Sequence, residues 1–195
     1  MLLIPETIYH FYDRGNNRRN IFFNEDNYLF FLRKIRKYLI PHCDILCYCL
    51  MPNHFHFMIY TKSDFHSDNF NNNCKTLLSS YTRAVNIQED ASGSLFQQHA
   101  KFKTLNKAEI KNPSYDANYP LICFNYIHQN PIKKGLVQKI EDWKYSSFLD
   151  YYGIRRGTLC NQDRAHELLN LPADKKELYE MTCKFVEEDK IKDFI

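Results

Sequence analysis

Two short stretches carry residue types and spacings suited to chemistry. The first is His54-Phe55-His56. In a strand, residues two apart face the same side, so both imidazoles project together and Phe55 points the other way. Two imidazole nitrogens so placed can hold one divalent metal; they can equally be a hydrogen-bonding pair on an exposed sheet face. The second is Tyr126-Ile-His-Gln-Asn130-Pro131. On a helix Tyr126 and Asn130 stand at i and i+4 and share one face. A phenol, which can act as a nucleophile, and a carboxamide oxygen then point together. The plain alternative is a helix-surface Tyr and a C-terminal Asn. His128 falls on a different face and is a weaker candidate. Cys47 and Cys49 precede the two histidines, and a hairpin could bring Cys49 opposite His56, as in a thiolate–imidazole zinc site.

The elements that must position these groups follow from pattern. Ile8–Arg14 is rich in β-formers and ends at Gly15-Asn16-Asn17, which predicts a strand and a turn. Glu25–Leu39 repeats apolar residues at helical spacing, with Asn24 able to cap it and Pro41 to stop it. Asp44–Met51 and His54–Thr61 read as a hairpin around Pro52-Asn53. Lys62–Asn73 reads as a polar loop, Cys74–Val85 as a short helix and Leu95–Leu105 as a strand. Lys107–Asn118 reads as loop. Leu121–Asn130 reads as a helix stopped by Pro131, because a residue before proline resists helical angles. An aromatic patch spans Trp143–Tyr152, and Gln162–Lys190 reads as one or two helices about Pro172. The order β-α-β-β-α-β-α with a helical tail predicts an α+β fold. Its centre is a ferredoxin-like antiparallel sheet with helices packed on one face, plus a helical C-terminal tail.

Composition excludes several classes. The chain has 195 residues, 44% hydrophobic and 25% charged, ordinary values for a globular chain, so disorder as the main state is excluded. No apolar run approaches the roughly 20 residues of a membrane span, and Met1–Glu6 lacks the basic start of a signal peptide. A cytoplasmic protein without a membrane partner is expected. Seven cysteines, an odd number without a C-x-x-C pair, point to reduced thiols. The net charge is +3, and the segment from Asn170 on is acidic, so the positive excess lies before it. Basic clusters at Arg14/Arg18/Arg19, Lys101/Lys103 and Lys133/Lys134 interleave with aromatics, as a surface for single-stranded nucleic acid would. Arg14, Arg18, Lys101 and Lys103 are the candidate phosphate contacts.

Together these stretches resemble a family. Met51-Pro-Asn-His-Phe-His56 resembles the MPNHxH motif of single-tyrosine HUH transposases. Tyr126-Ile-His-Gln-Asn-Pro-Ile-Lys-Lys-Gly-Leu-Val137 resembles their YIxxNPxxxGLV block. Arg14-Gly-Asn-Asn-Arg18 with Ile21-Phe22, Gly93-Ser-Leu-Phe-Gln97 and Trp143-Lys-Tyr-Ser-Ser147 resemble three further blocks. The REP-associated tyrosine transposases are the nearest branch, and Asp13 departs from the Asn of their N-terminal block. The likeness runs from Ile8 to Tyr152, dividing the chain into a transposase domain, 1–152, and a helical extension, 153–195.

The resemblance implies a metal-dependent single-stranded DNA endonuclease and strand transferase acting in DNA transposition. Tyr126 would be the nucleophile, forming a 5′-phosphotyrosine and releasing a 3′-hydroxyl. His54, His56 and Asn130 would hold the metal. Two imidazoles favour softer divalent ions, whereas the family implies Mg²⁺ or Mn²⁺. Single-stranded DNA with hairpin structure is the expected partner, and the chain acts as monomer or homodimer. The competing expectation is a domesticated relative that binds DNA hairpins without cutting.

Overall fold

The computed structural model describes residues 2–105, 118–184 and 186. Four strands form one antiparallel sheet: β1 (Ile8–Arg14), β2 (Cys43–Met51), β3 (His54–Thr61) and β4 (Lys101–Thr104), in the order β2-β3-β1-β4. The turn Pro52-Asn53 joins β2 to β3 with Met51 opposite His54, the hairpin read from the sequence. Strand β1 then lies between β3 and β4, with Arg14 opposite His54, Tyr12 opposite His56 and His10 opposite Lys103.

Strand alternation sorts the sheet into two faces. Phe11, Phe55, Phe57 and Ile59 point to the first, where α1 (Glu25–Tyr38) and α2 (Ser67–Gln88) supply Phe31, Ile35, Phe70, Leu77 and Tyr81. Each fully buried Phe stabilises this layer by about 2–3 kcal/mol relative to exposure. Asn24 caps α1, its side chain accepting from the Asn27 amide. This is the expected α+β antiparallel sheet with helices packed on a face; helices cover the opposite face as well.

The second face carries Ile8, Cys47, Cys49, Met51 and Met58. It is covered by α3 (Tyr119–Lys133) and by the tail helices α5 (Gln162–Leu169) and α6 (Lys175–Cys183). A register shift between Ile45 and Cys47 lets Leu46 and Cys47 both reach this side. Before the tail, a short helix α4 (Phe148–Tyr151) follows a segment that seals the β2 edge. There the Leu50 amide donates to the Tyr145 carbonyl at 3.0 Å, and the Ser147 amide to the Tyr48 carbonyl at 3.0 Å.

The tail grips α3 beside Asn130. Gln129 Nε2 donates to the carbonyls of Thr182 at 2.6 Å and Lys184 at 2.7 Å, while its Oε1 accepts from the Val186 amide at 3.3 Å.

Three sequence expectations are corrected. Helix α2 starts at Ser67, inside the stretch read as loop, because Phe70 continues the buried stripe Cys74, Leu77, Tyr81 and Val85 one turn upstream. The strand read over Leu95–Leu105 narrows to Lys101–Thr104; upstream, an isolated bridge sets Phe96 opposite Gly15, with the Gln97 amide donating to the Arg14 carbonyl at 2.9 Å and the Asn16 amide to the Leu95 carbonyl at 2.8 Å. Pro131 does not stop α3, which runs on to Lys133. Pro131 forgoes the bond its N–H would have made to the Ile127 carbonyl and crowds that carbonyl, and the Asn130 side chain ties back to the Tyr126 carbonyl at 3.0 Å. The loop expected at 107–117 lies outside the described residues, as does the tail from 187 on.

Candidate active site

His54 and His56 sit on β3 two residues apart and face α3, as alternation requires. Their ring centroids lie 5.0 Å apart at 86°. Tyr126 and Asn130, one turn apart on α3, come down on them. The Tyr126 ring stands 5.5 Å from that of His56, edge-on at 75°, and 6.4 Å from His10. Asn130 sits where its amide favours the protonated form of His54 and the ionised form of Tyr126. Thus the four residues selected by spacing meet in one place.

The hydrogen bonds around the imidazoles are directional. Asn53 Nδ2 donates to the Arg18 carbonyl at 3.2 Å, which leaves Asn53 Oδ1 to accept from His54 Nδ1 at 2.6 Å. That fixes the hydrogen of His54 on Nδ1. His56 Nδ1 meets His10 Nε2 at 2.9 Å, and the two rings stack at 5.0 Å and 22°. His56 Nε2 is buried with no hydrogen-bond partner. On Asn130, Nδ2 is engaged by the Tyr126 carbonyl, so Oδ1 is the remaining donor atom.

A buried, unpartnered imidazole nitrogen beside a second imidazole and an amide oxygen fits a divalent cation. Among the described residues no three His, Cys, Asp or Glu side chains gather as a metal set. A cation held here could take an oxygen such as that of Asn130 beside the two imidazoles. The zinc alternative loses its thiolate: Cys49 does pair with His56 in register, but its Sγ donates to Met51 Sδ at 3.7 Å and burial pushes its thiol up. All seven cysteines are free.

Burial sets the charge states. It lowers His54 to about 4, with the Arg14 guanidinium adding to the effect and Asn130 opposing it. It holds His56 well below the ordinary value, helped by His54 and His10. Both rings are neutral at pH 7, the form that can ligate a metal. Tyr126 is pushed up to about 12 by burial, against the hydrogen bond from Asn130 and the charge of Arg14. Lys133 Nζ lies 5.7 Å from the Tyr126 ring centroid and adds positive charge beside it.

The candidate phosphate contacts divide. Arg14 is half-buried opposite His54, on the site's face. Lys101 is exposed at the sheet edge, its Nζ 5.7 Å over the Tyr12 ring, and Lys103 is half-buried opposite His10. Both share the site's face. Arg18 is exposed in the 3-10 turn after β1, and its carbonyl, not its guanidinium, takes part in the site's framework. His128 faces away, fully buried, with Nε2 2.8 Å from Ser147 Oγ.

Sequence reasoning missed His10, Tyr12 and Asn53. The signal for the first two was present: alternation along Ile8–Arg14 puts His10, Tyr12 and Arg14 on one side. What was missing was the register that sets His10 and Tyr12 beside His56.

No protein-family profile and no curated protein matches the chain. Among solved structures it is similar to a REP-associated tyrosine transposase bound to a REP hairpin. The two are 19% identical, with 76% of this chain and 80% of that chain covered and a TM-score of 0.55. At that identity the likeness establishes the fold, a distant structural relationship with a tyrosine transposase.

Proposed function

We propose that this chain nicks and rejoins single-stranded DNA beside a hairpin, through a covalent bond to Tyr126, as a DNA transposase does. The observation that carries the reading is the meeting of Tyr126 and Asn130 with His54 and His56 around the buried Nε2 of His56. The fold likeness to a transposase solved with a hairpin supports the partner.

In this reading the Tyr126 phenol attacks the scissile phosphorus in line, and its proton passes to solvent or to the departing strand. A phosphotyrosine bond forms, the bond to the 3′ oxygen breaks, and a 3′-hydroxyl leaves. The phosphodiester energy is kept, so a 3′-hydroxyl can reverse the step without ATP. A divalent cation, Mg²⁺ or Mn²⁺, held by His54, His56 and Asn130 would polarise the phosphate. Arg14 and Lys133 favour the phenolate and the incoming phosphate alike. Arg14, Lys101 and Lys103 form the phosphate track, with Arg18 at its margin. Residues 1–152 make the catalytic unit and 153–195 its extension.

The test is incubation of the full chain with labelled single-stranded DNA carrying a hairpin, with Mn²⁺. A denaturation-resistant protein–DNA adduct is expected, absent in Tyr126→Phe. Hairpin binding without any adduct across a panel of substrates would leave a binding module instead. Because nucleophile and histidines meet within one chain, a monomer cutting in cis is favoured over a homodimer cutting in trans. Mixing Tyr126→Phe with His56→Ala chains should then restore no cleavage.

A further inference from the structure

We propose that His10 is a positioning residue for the ligating face of His56: it accepts the Nδ1 hydrogen of His56 and so holds that imidazole with the Nε2 lone pair toward the cation. The inference rests on the reading that His54 and His56 hold a divalent cation.

The argument is geometric. His10 Nε2 and His56 Nδ1 face each other at 2.9 Å in a fully enclosed place. Two ring nitrogens at that distance share one hydrogen, so one donates and the other accepts. If His10 donated, His56 would carry its own hydrogen on Nε2. That nitrogen is buried and meets no acceptor, and an N–H there would also block a metal; if His56 donates, His10 carries its own hydrogen on Nδ1, so the cation at His56 Nε2 decides between the two arrangements. If His56 donates, Nε2 carries a lone pair that a cation satisfies. His54 shows the same arrangement with an unambiguous acceptor, Asn53 Oδ1 at 2.6 Å. The two histidines then present matching nitrogens, and the partner of each is set by β1 or by the β2–β3 turn. A ligand histidine held through its second nitrogen is the usual arrangement, and loss of the partner weakens metal binding about 10–100-fold. The unusual feature is that the partner is itself an imidazole, its ring 5.0 Å from that of His56 and 4.6 Å from that of Tyr12, which lies 6.0 Å from His56.

The experiment uses the full chain labelled with ¹⁵N-histidine and freed of metal. Two-bond ¹H–¹⁵N correlations read the tautomer of His56, assigned by difference from His56→Gln. Hydrogen on Nδ1 is expected; hydrogen on Nε2 in the wild type overturns the proposal. Mn²⁺ affinity is then measured by electron paramagnetic resonance in His10→Phe, which keeps a ring without an acceptor, and His10→Gln, whose amide oxygen can accept. A loss of about 10–100-fold in His10→Phe, largely regained in His10→Gln, is expected, with hairpin affinity in the absence of metal unchanged in both. Mn²⁺ binding by His10→Phe within about twofold of wild type overturns the inference while leaving the functional reading intact. A wild type that binds no Mn²⁺ removes both. Should His10→Phe fail to fold, the wild-type tautomer still decides.

Discussion

The Tyr126 ring meets His56 edge-on, centroids 5.5 Å apart at 75°, which places a phenol held near a pKa of about 12 beside a neutral imidazole. Below its pKa the phenolate fraction grows tenfold per pH unit. The rate of adduct formation is therefore expected to rise about tenfold per unit between pH 6.5 and 8.5. A single-turnover series across that range checks it, and a flat profile would show that the attacking oxygen is deprotonated by a group already ionised at pH 6.5.

Metal removal tests the ligand set. His56→Ala should lower Mn²⁺ affinity at least about 100-fold and abolish adduct formation. Asn130→Ala should weaken Mn²⁺ binding less and also release the Tyr126 carbonyl, at about 1 kcal/mol of stability. Titration calorimetry beside thermal melts separates the two effects. Unaltered Mn²⁺ binding in both variants would place the cation elsewhere.

Acid should unfold the protein in a predictable window. His128 is fully buried and held at about 3, against 6.5 when unfolded. The unfolded chain binds a proton that the folded one refuses, so stability is full above pH 6.5 and falls as pH drops toward 3. At pH 4.5 this one ring costs about 2–3 kcal/mol. Urea midpoints at pH 7 and 4.5 in wild type and His128→Leu measure it, and the variant should show a shallower loss. Equal losses would mean that His128 becomes charged without unfolding.

Gly15 is required by close approach. A Cβ there would overlap the Arg19 carbonyl oxygen, and the Gly15 amide donates to the Asn53 carbonyl at 2.8 Å. Gly15→Ala is expected to cost about 1–3 kcal/mol and to displace the turn that carries Asn53 and His54. Both melting temperature and Mn²⁺ affinity should fall. A loss of stability alone would uncouple the turn from the site.

Lys101→Ala and Arg14→Ala should each weaken hairpin DNA binding for every sequence. Each should also lower the slope of log affinity against log salt by about 1. Arg18→Ala, in the turn after β1 rather than on the strands that carry the site, should change that slope less. Equal effects from all three would extend the DNA path across the 3-10 turn.

The sequence was legible where periodicity and local chemistry decide. The helix Glu25–Tyr38, the Pro52-Asn53 hairpin and the shared face of His54 and His56 could be read from spacing alone. The pairing of β1 between β3 and β4 could not, because strand neighbours distant in sequence leave no local mark; His10 therefore went unrecognised. The start of α2 was hidden by its Asn-rich first turns, where one buried Phe70 outweighs weak propensity. Pro131 was read as a terminator because it disfavours helical angles at the residue before it; the burial of the stretch from Ile127 to Pro131 outweighs that preference.

Gln129, next to Asn130, ties Thr182, Lys184 and Val186 to α3. A chain shortened at Met181 keeps every strand and the first-face helices, yet loses that clasp. Such a product should still melt cooperatively while its adduct yield drops, and an undiminished yield would assign the clasp no part in aiming the phenol. The sheet can therefore form before the end of α3 is fixed by the residues that follow it.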